Sequence, residues 1–181
     1  METILFLAHT EAGGSLGKVA LETLGAAVEL SQSLGAKLIA GLYGPDVQPA
    51  ADSVATCGAQ QFFAVQGPDF ENARYATDAA ACEALVRASA ATIVIAANTS
   101  RNARVMAGVA QRVHGCVDTH VSGAVAASGA LQISRWFYRQ RIEGSLTRKH
   151  RPWILLLDPG SHAPWTGDAG TVQLEQIEVS V

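Results

Sequence analysis

The densest run of side chains able to do chemistry is DTHVS, in which Asp118, His120 and Ser122 alternate. On an extended strand the three would share one side, which invites a triad of acid, base and nucleophile. The spacing argues against it, because such groups ordinarily converge from separate elements. His9, His114, His150 and His162 lack the H-x-x-x-H spacing with an acidic helper that a metal site uses. The sequence therefore predicts neither a catalytic constellation nor a metal centre.

A second candidate is NTSRNARVMAGVAQRVHG, Asn98 to Gly115, which follows the apolar run TIVIAA and opens a helix. It has no glycine before Gly108, so it makes a poor phosphate cradle. Arg101 and Arg104 fall in the first helical turn, where cations oppose the helix dipole by about 0.3–1 kcal/mol each when exposed. Either that cost is trivial in water, or the side chains reach an anion or a carboxylate. Arg101 and Asn102 are the weak cofactor-binding candidates, because ligands bind at the carboxyl ends of parallel strands. The first loop, HTEAGGSLGK, has glycines at the wrong spacing for a P-loop, and Val19 replaces the hydroxyl residue. It also lacks G-x-G-x-x-G.

The third candidate is RWFYRQRIEGSLTRKHRPW, Arg135 to Trp153. It holds six of the chain's 13 Lys and Arg and one of its 16 acids, giving a local balance of +5 against −8 elsewhere. Basic residues among aromatics fit single-stranded nucleic acid, a partner-docking hairpin, or a solvated edge kept apart by its charge. Arg135, Trp136, Tyr138, Arg139 and Arg141 are the partner-binding candidates.

Positioning these groups requires a scaffold, and the pattern supplies one. Apolar runs at Thr3–Thr10, Lys37–Gly44, Gln61–Gly67 and Thr92–Asn98 predict strands. Their near-continuous apolar character marks a parallel sheet covered on both faces. Helices are expected over Gly17–Leu34, capped by Ser15 and stopped at Gly35, over about Val47–Cys57, from Asp69 or Asn72 to about Ser89, and over Asn102–Val113. The first carries a stripe of Val19, Leu21, Leu24, Ala27, Val28 and Leu30, and the third a stripe of Ala80, Ala81, Ala84, Leu85 and Ala88. Strand–helix alternation gives an α/β fold, layered helix–sheet–helix. After Gly115 a hairpin turning at Ser128-Gly129 is expected, then a run Ile142–Leu146 and an apolar strand Trp153–Gly160. Residues 1–160 form the α/β domain. Residues 161–181 read as a linker and a terminal strand (Val172, Leu174, Ile177, Val179, Val181) that pairs with its own sheet edge, a missing domain or a second chain.

The 181 residues suffice for one domain with a sizeable core. Charged residues are 16% and the net charge is −3, so bulk attraction to nucleic acid or membrane is not expected. No apolar run approaches the ~20 residues of a membrane span, and ILFLA has no basic flank to make it a signal. The three cysteines, Cys57, Cys82 and Cys116, form no C-x-x-C pair and read as reduced core or near-core thiols, hence a cytoplasmic protein.

In their order along the chain these pieces resemble the N-terminal domain of the electron transfer flavoprotein alpha subunit. ILFLAH leads to ALETLGAAVELSQSLGAKLIAGLYG. CGAQQFFAV matches a G-A-d-k-v-y-v-v pattern. TIVIAANTSRNARVMAGVAQRV resembles a strand leading to T-x-x-G-R-D-L-A-P-R-V-A. GCVDTHVSGAVAASGALQISRWFY resembles the D-V-t segment with its r-P-i-Y hairpin, and WILLLDPGSH the v-R-P-G-x-f strand end. The family's G-R-D is here Ser100-Arg101-Asn102, its G-G-N after the hairpin tyrosine is Arg139-Gln140-Arg141, and its R-P-G arginine is Asp158. The resemblance implies a Rossmann-like fold of the adenine nucleotide alpha hydrolase type. It implies an electron carrier component rather than an enzyme, paired as a heterodimer with a beta-type subunit and served indirectly by acyl-CoA or other flavin dehydrogenases. It also implies FAD as the family's cofactor, held mainly by a second domain that would follow this one, with none tightly bound to this chain alone. The other reading left open is an independent adenine-nucleotide-binding or regulatory module of the same fold.

Overall fold

The fold was determined as a computed structural model, which describes residues 1–179. The strands are β1 (Thr3–His9), β2 (Lys37–Gly44), β3 (Gln61–Gln66), β4 (Ile93–Ala97), β5 (Cys116–Ala127), β6 (Ala130–Phe137), β7 (Ile142–Leu146), β8 (Trp153–Leu157) and β9 (Leu174–Gln176). The helices are α1 (Lys18–Leu34), α2 (Gln48–Ser53), α3 (Tyr75–Ser89) and α4 (Ser100–Arg112). The strands make one nine-stranded sheet in the order β7-β6-β5-β8-β4-β1-β2-β3-β9. It is parallel except where β6 runs against β5 and β7.

Period-two alternation decides the layers. Ile4, Phe6 and Ala8 of β1 face the core under α1 and α2, while Leu5 and Leu7 face the core under α3 and α4. Both faces of the central strands are therefore dry, which is why β1, β4 and β8 read as unbroken apolar runs. The chain runs β1, β2, β3 outward in one direction and then crosses to β4 on the other side of β1. That reversal opens a crevice between the carboxyl ends of β1 and β4.

Several expected boundaries move, each for a local reason. Gly17, not Ser15, precedes α1, with no side-chain cap, whereas Gly35 ends it in the left-handed conformation (φ 59°) that glycine tolerates. α4 starts two residues earlier than Asn102 because the Thr99 hydroxyl caps the Asn102 amide. α2 is shorter than Val47–Cys57, and α3 begins at Tyr75 after a separate 3₁₀ turn at Pro68–Phe70. α3 buries Thr77, Asp78, Ala79, Ala81, Cys82, Leu85, Val86 and Ser89, so of the expected stripe Ala81 and Leu85 are buried, Ala80 and Ala84 half-buried and Ala88 exposed. Alanine carries too weak an apolar signal to set a helix's rotation. In α1, Leu24, Ala27 and Leu30 are buried, while Val19, Leu21 and Val28 are half-buried.

The stretch of linker composition is a strap that crosses α1 and α2. The Trp165 amide bonds to Leu21 O, and those of Gly170 and Val172 bond to Asp52. It delivers β9 to the far edge, parallel to β3. The terminal strand thus pairs with its own sheet. Val181 lies outside the described residues.

Candidate functional site

Three groups of residues hold the candidate side chains. The first is the switch-point crevice, about 230 Å³, lined by His9 and Glu11 after β1, by Lys18 of α1, and by Thr99, Ser100, Arg101 and Asn102 at the start of α4. Arg101 lies at its wall, but its guanidinium is turned inward. It donates to Asp78 Oδ1 at 2.7 Å and Oδ2 at 2.9 Å and to Phe70 O at 2.9 Å, and it lies over the Tyr43 ring. The side chains are 12% and 2% exposed. Asp78 sits in the first turn of α3, so its carboxylate lies beside the amide ends of two helices and answers the dipole cost of Arg101. Burial works against the Arg101 charge, but the bonds to Asp78 and the neighbouring Tyr43 and Asp78 together outweigh it and raise the guanidinium above its ordinary range. Asn102 is buried and donates to Ala97 O, fixing the turn from β4 into α4. Arg104 is exposed. Burial, and then the Arg101 charge, push His9 below the ordinary histidine range.

The second group surrounds Asp118, whose side chain is fully buried on β5. It accepts from Arg135 at 2.7 Å, Arg148 at 2.9 Å and Trp153 Nε1 at 2.8 Å. Burial pushes its carboxyl up, but the bonds from Arg148 and Trp153 bring it below the ordinary carboxylate range. The residues of DTHVS therefore do not share one side. The ladder to β8 slips between Asp118 and Val121, and His120 takes a left-handed backbone (φ 56°) in the bulge. His120 Nδ1 lies 3.2 Å from Asp158 Oδ1, with Asn98 bonded to the same oxygen, while Ser122 donates to Glu143. Asp118, His120 and Ser122 each face a different neighbour, so they form no relay.

The third group is the β6–β7 tip. A groove of about 580 Å³ is lined by His120, Arg135, Trp136, Phe137, Tyr138, Arg139 and Gln140. Of the partner-binding candidates, Arg135 is tied to Asp118 and lies over Phe137, and Trp136 is half-buried. Tyr138, Arg139 and Arg141 are exposed, Tyr138 at 77%. Of the segment's six cations, Arg135 and Arg148 pair with Asp118 and Arg151 with Glu2. Among the described residues, Arg139, Arg141 and Lys149 form no ion pair.

A family model for the electron transfer flavoprotein domain matches residues 4–181. The chain belongs to that family. The match spans the strap and β9 as well as the layered core, so the family unit includes both. Among curated proteins, none matches the chain. Members of the electron transfer flavoprotein domain family are electron carriers of the flavoprotein class. The switch-point crevice does not fit a flavin. Its 230 Å³ lies below the about 300–1,000 Å³ of ordinary ligand pockets, and the Glu11 carboxylate closes on Gly17 where an anionic ligand would enter. Among the described residues, no cluster of His, Cys, Asp or Glu could hold a metal ion, and no helix is long and apolar enough to cross a membrane.

Sequence reasoning missed the acids that fix the arginines. Asp78 carried one available signal, a carboxylate at the start of the alanine-rich run TDAAACEAL. Asp118 carried none, because three of its partners lie 17 to 35 residues away.

Proposed function

We propose that this chain is an alpha-type domain of an electron transfer flavoprotein. It assembles with a beta-type subunit into a heterodimer that accepts electrons from acyl-CoA or other flavin dehydrogenases. Its own role is to frame and dock rather than to hold the cofactor, with FAD bound mainly outside the residues described. The observation that carries this reading is the β6–β7 tip. Arg139 and Arg141 have no carboxylate to meet among the described residues, and Tyr138 stands 77% exposed beside them. Arg and Tyr in that setting are the residue types that anchor interfaces. Cytoplasmic location, from the free cysteines, belongs to the same proposal. Co-expression with a beta-type electron transfer flavoprotein subunit tests it. A complex that co-elutes, and that is weakened by charge reversal at Arg139 and Arg141, is expected. An unaltered monomer with every such subunit overturns it.

A second reading, a stand-alone adenine-nucleotide module, has the position of the crevice in its favour, at the topological switch point. Glu11 and the inward turn of Arg101 weigh against it. A rise in melting temperature with AMP or ATP would favour it.

A further inference from the structure

The β3 side of the sheet is guarded in a way that the framing role does not require. β3 reads QFFAVQ, with no charge, proline or glycine, and its apolar side chains are buried on both faces of the sheet. Strands of that composition pair readily with copies of themselves, and natural sheets keep them from edges. β3 would be the edge here but for β9, which lies beyond it. β9 is itself a blunt edge, three residues long and carrying the exposed Glu175.

The guard is lightly held. Not one of residues 161–179 is buried, whereas every residue of β4 and β8 is. The strap is tied to α1, to α2 and to the turn after α2. The Gly160 amide donates to Glu22 Oε2 at 2.8 Å, that of Trp165 to Leu21 O at 2.9 Å and that of Gly170 to Asp52 O at 2.8 Å. The Val172 amide donates to Asp52 Oδ1 at 3.0 Å, and the Thr56 hydroxyl to Asp168 O at 2.7 Å. Ala163 O crosses α1 so closely at Gly25 that a Cβ there would lie 2.4 Å from it. A segment that rests on surface hydrogen bonds, with no buried side chain, opens at less cost than the whole fold.

We infer that residues 161–179 are a latch that opens as a unit, and that the bared β3 edge then pairs antiparallel with β3 of a second copy. Pairing centred between Phe63 and Ala64 sets Gln61 opposite Gln66 and opposes no like charges along the strand. The two-fold contact closes on itself, so it makes a dimer. The latch is independent of the alpha-type role, because β9 and the β6–β7 tip lie at opposite edges of the sheet.

Two variants of the full chain test it. Gly25→Ala favours the helical state of α1 while pressing on Ala163 O. Asp52→Ala removes the side-chain acceptor of the Val172 amide. Each should speed amide exchange over residues 161–179 by roughly three- to tenfold, with β1, β4 and β8 unchanged. Dimerisation needs two open copies, so the association constant from analytical ultracentrifugation should rise as the square, by roughly ten- to a hundredfold. In the dimer, residues 61–66 should exchange slowly and 174–177 fast. Adding Gln66→Lys, at an exposed position, should reverse the gain, since it sets a cation opposite the other copy's Gln61, which already holds Lys37 at 2.6 Å. Three results overturn the inference. In one, residues 161–179 exchange only with the whole chain. In another, neither variant moves dimerisation. In the third, residues 174–177 stay as protected in the dimer as in the monomer, which marks an exchange of β9 strands instead.

Discussion

Replacing Arg101 with leucine isolates the central ion pair of the α3–α4 corner. The substitution leaves Asp78, 2% exposed, without the two bonds its oxygens receive, and frees Phe70 O and the Tyr43 face. Removing one partner of a buried pair costs about 3–5 kcal/mol. The 12% exposure of Arg101 admits some water and places the cost near the lower end, about 3 kcal/mol. For a chain of this size each kcal/mol moves the melting temperature by about 2–4 °C, so a fall of roughly 6–12 °C is expected. Urea unfolding followed by far-UV circular dichroism, with thermal melts alongside, measures both. The double variant R101L/D78L should recover much of the loss, because a paired apolar replacement leaves no uncompensated charge. A single R101L variant within about 0.5 kcal/mol of wild type, the range of an ordinary surface change, would refute the reasoning.

Three further outcomes follow from the same geometry. Asp118 is held below its ordinary pKa in the fold, so the stability it contributes is present above the unfolded carboxylate value of about 4 and is lost as pH falls through the folded value. Urea midpoints from pH 7 to pH 2.5 should therefore drop more steeply for wild type than for Asp118→Asn, and parallel curves would contradict this. Gln140→Gly should stabilise the chain by about 0.5–1 kcal/mol, the left-handed strain relieved less the entropy that glycine adds to the unfolded state, as a denaturation midpoint would reveal. The Cys82 thiol is fully buried and pushed up to about 12, so iodoacetamide should label the half-buried Cys116 first and Cys82 only on unfolding. Mass spectrometry of the labelled peptides decides that order.

The scaffold was legible because burial writes itself into composition. β1, β4 and β8 are sealed on both faces, and their unbroken apolar runs announce a parallel sheet. The hairpin turn at Ser128-Gly129 was legible for a different reason, since both residues take positive φ (52° and 77°) and only certain residue types do so readily. The site was less legible. Arg101 drew notice as a cation in a helix's first turn, yet its partner lies 23 residues earlier on another helix. Asp118 drew notice for its neighbours His120 and Ser122, but a backbone bulge separates them and long-range pairing to Arg135, Arg148 and Trp153 explains it. The strap from Ser161 to Val172 had the small, polar composition of a linker and is nevertheless docked through its backbone, which composition does not record.

Co-purification with a beta-type subunit is the measurement that bears most directly on the central claim. The lone chain should elute colourless, and the co-expressed complex should carry flavin absorbance and dissociate on charge reversal at Arg139 and Arg141. A lone chain that purifies yellow with bound flavin, and ignores every beta-type subunit offered, would contradict the account.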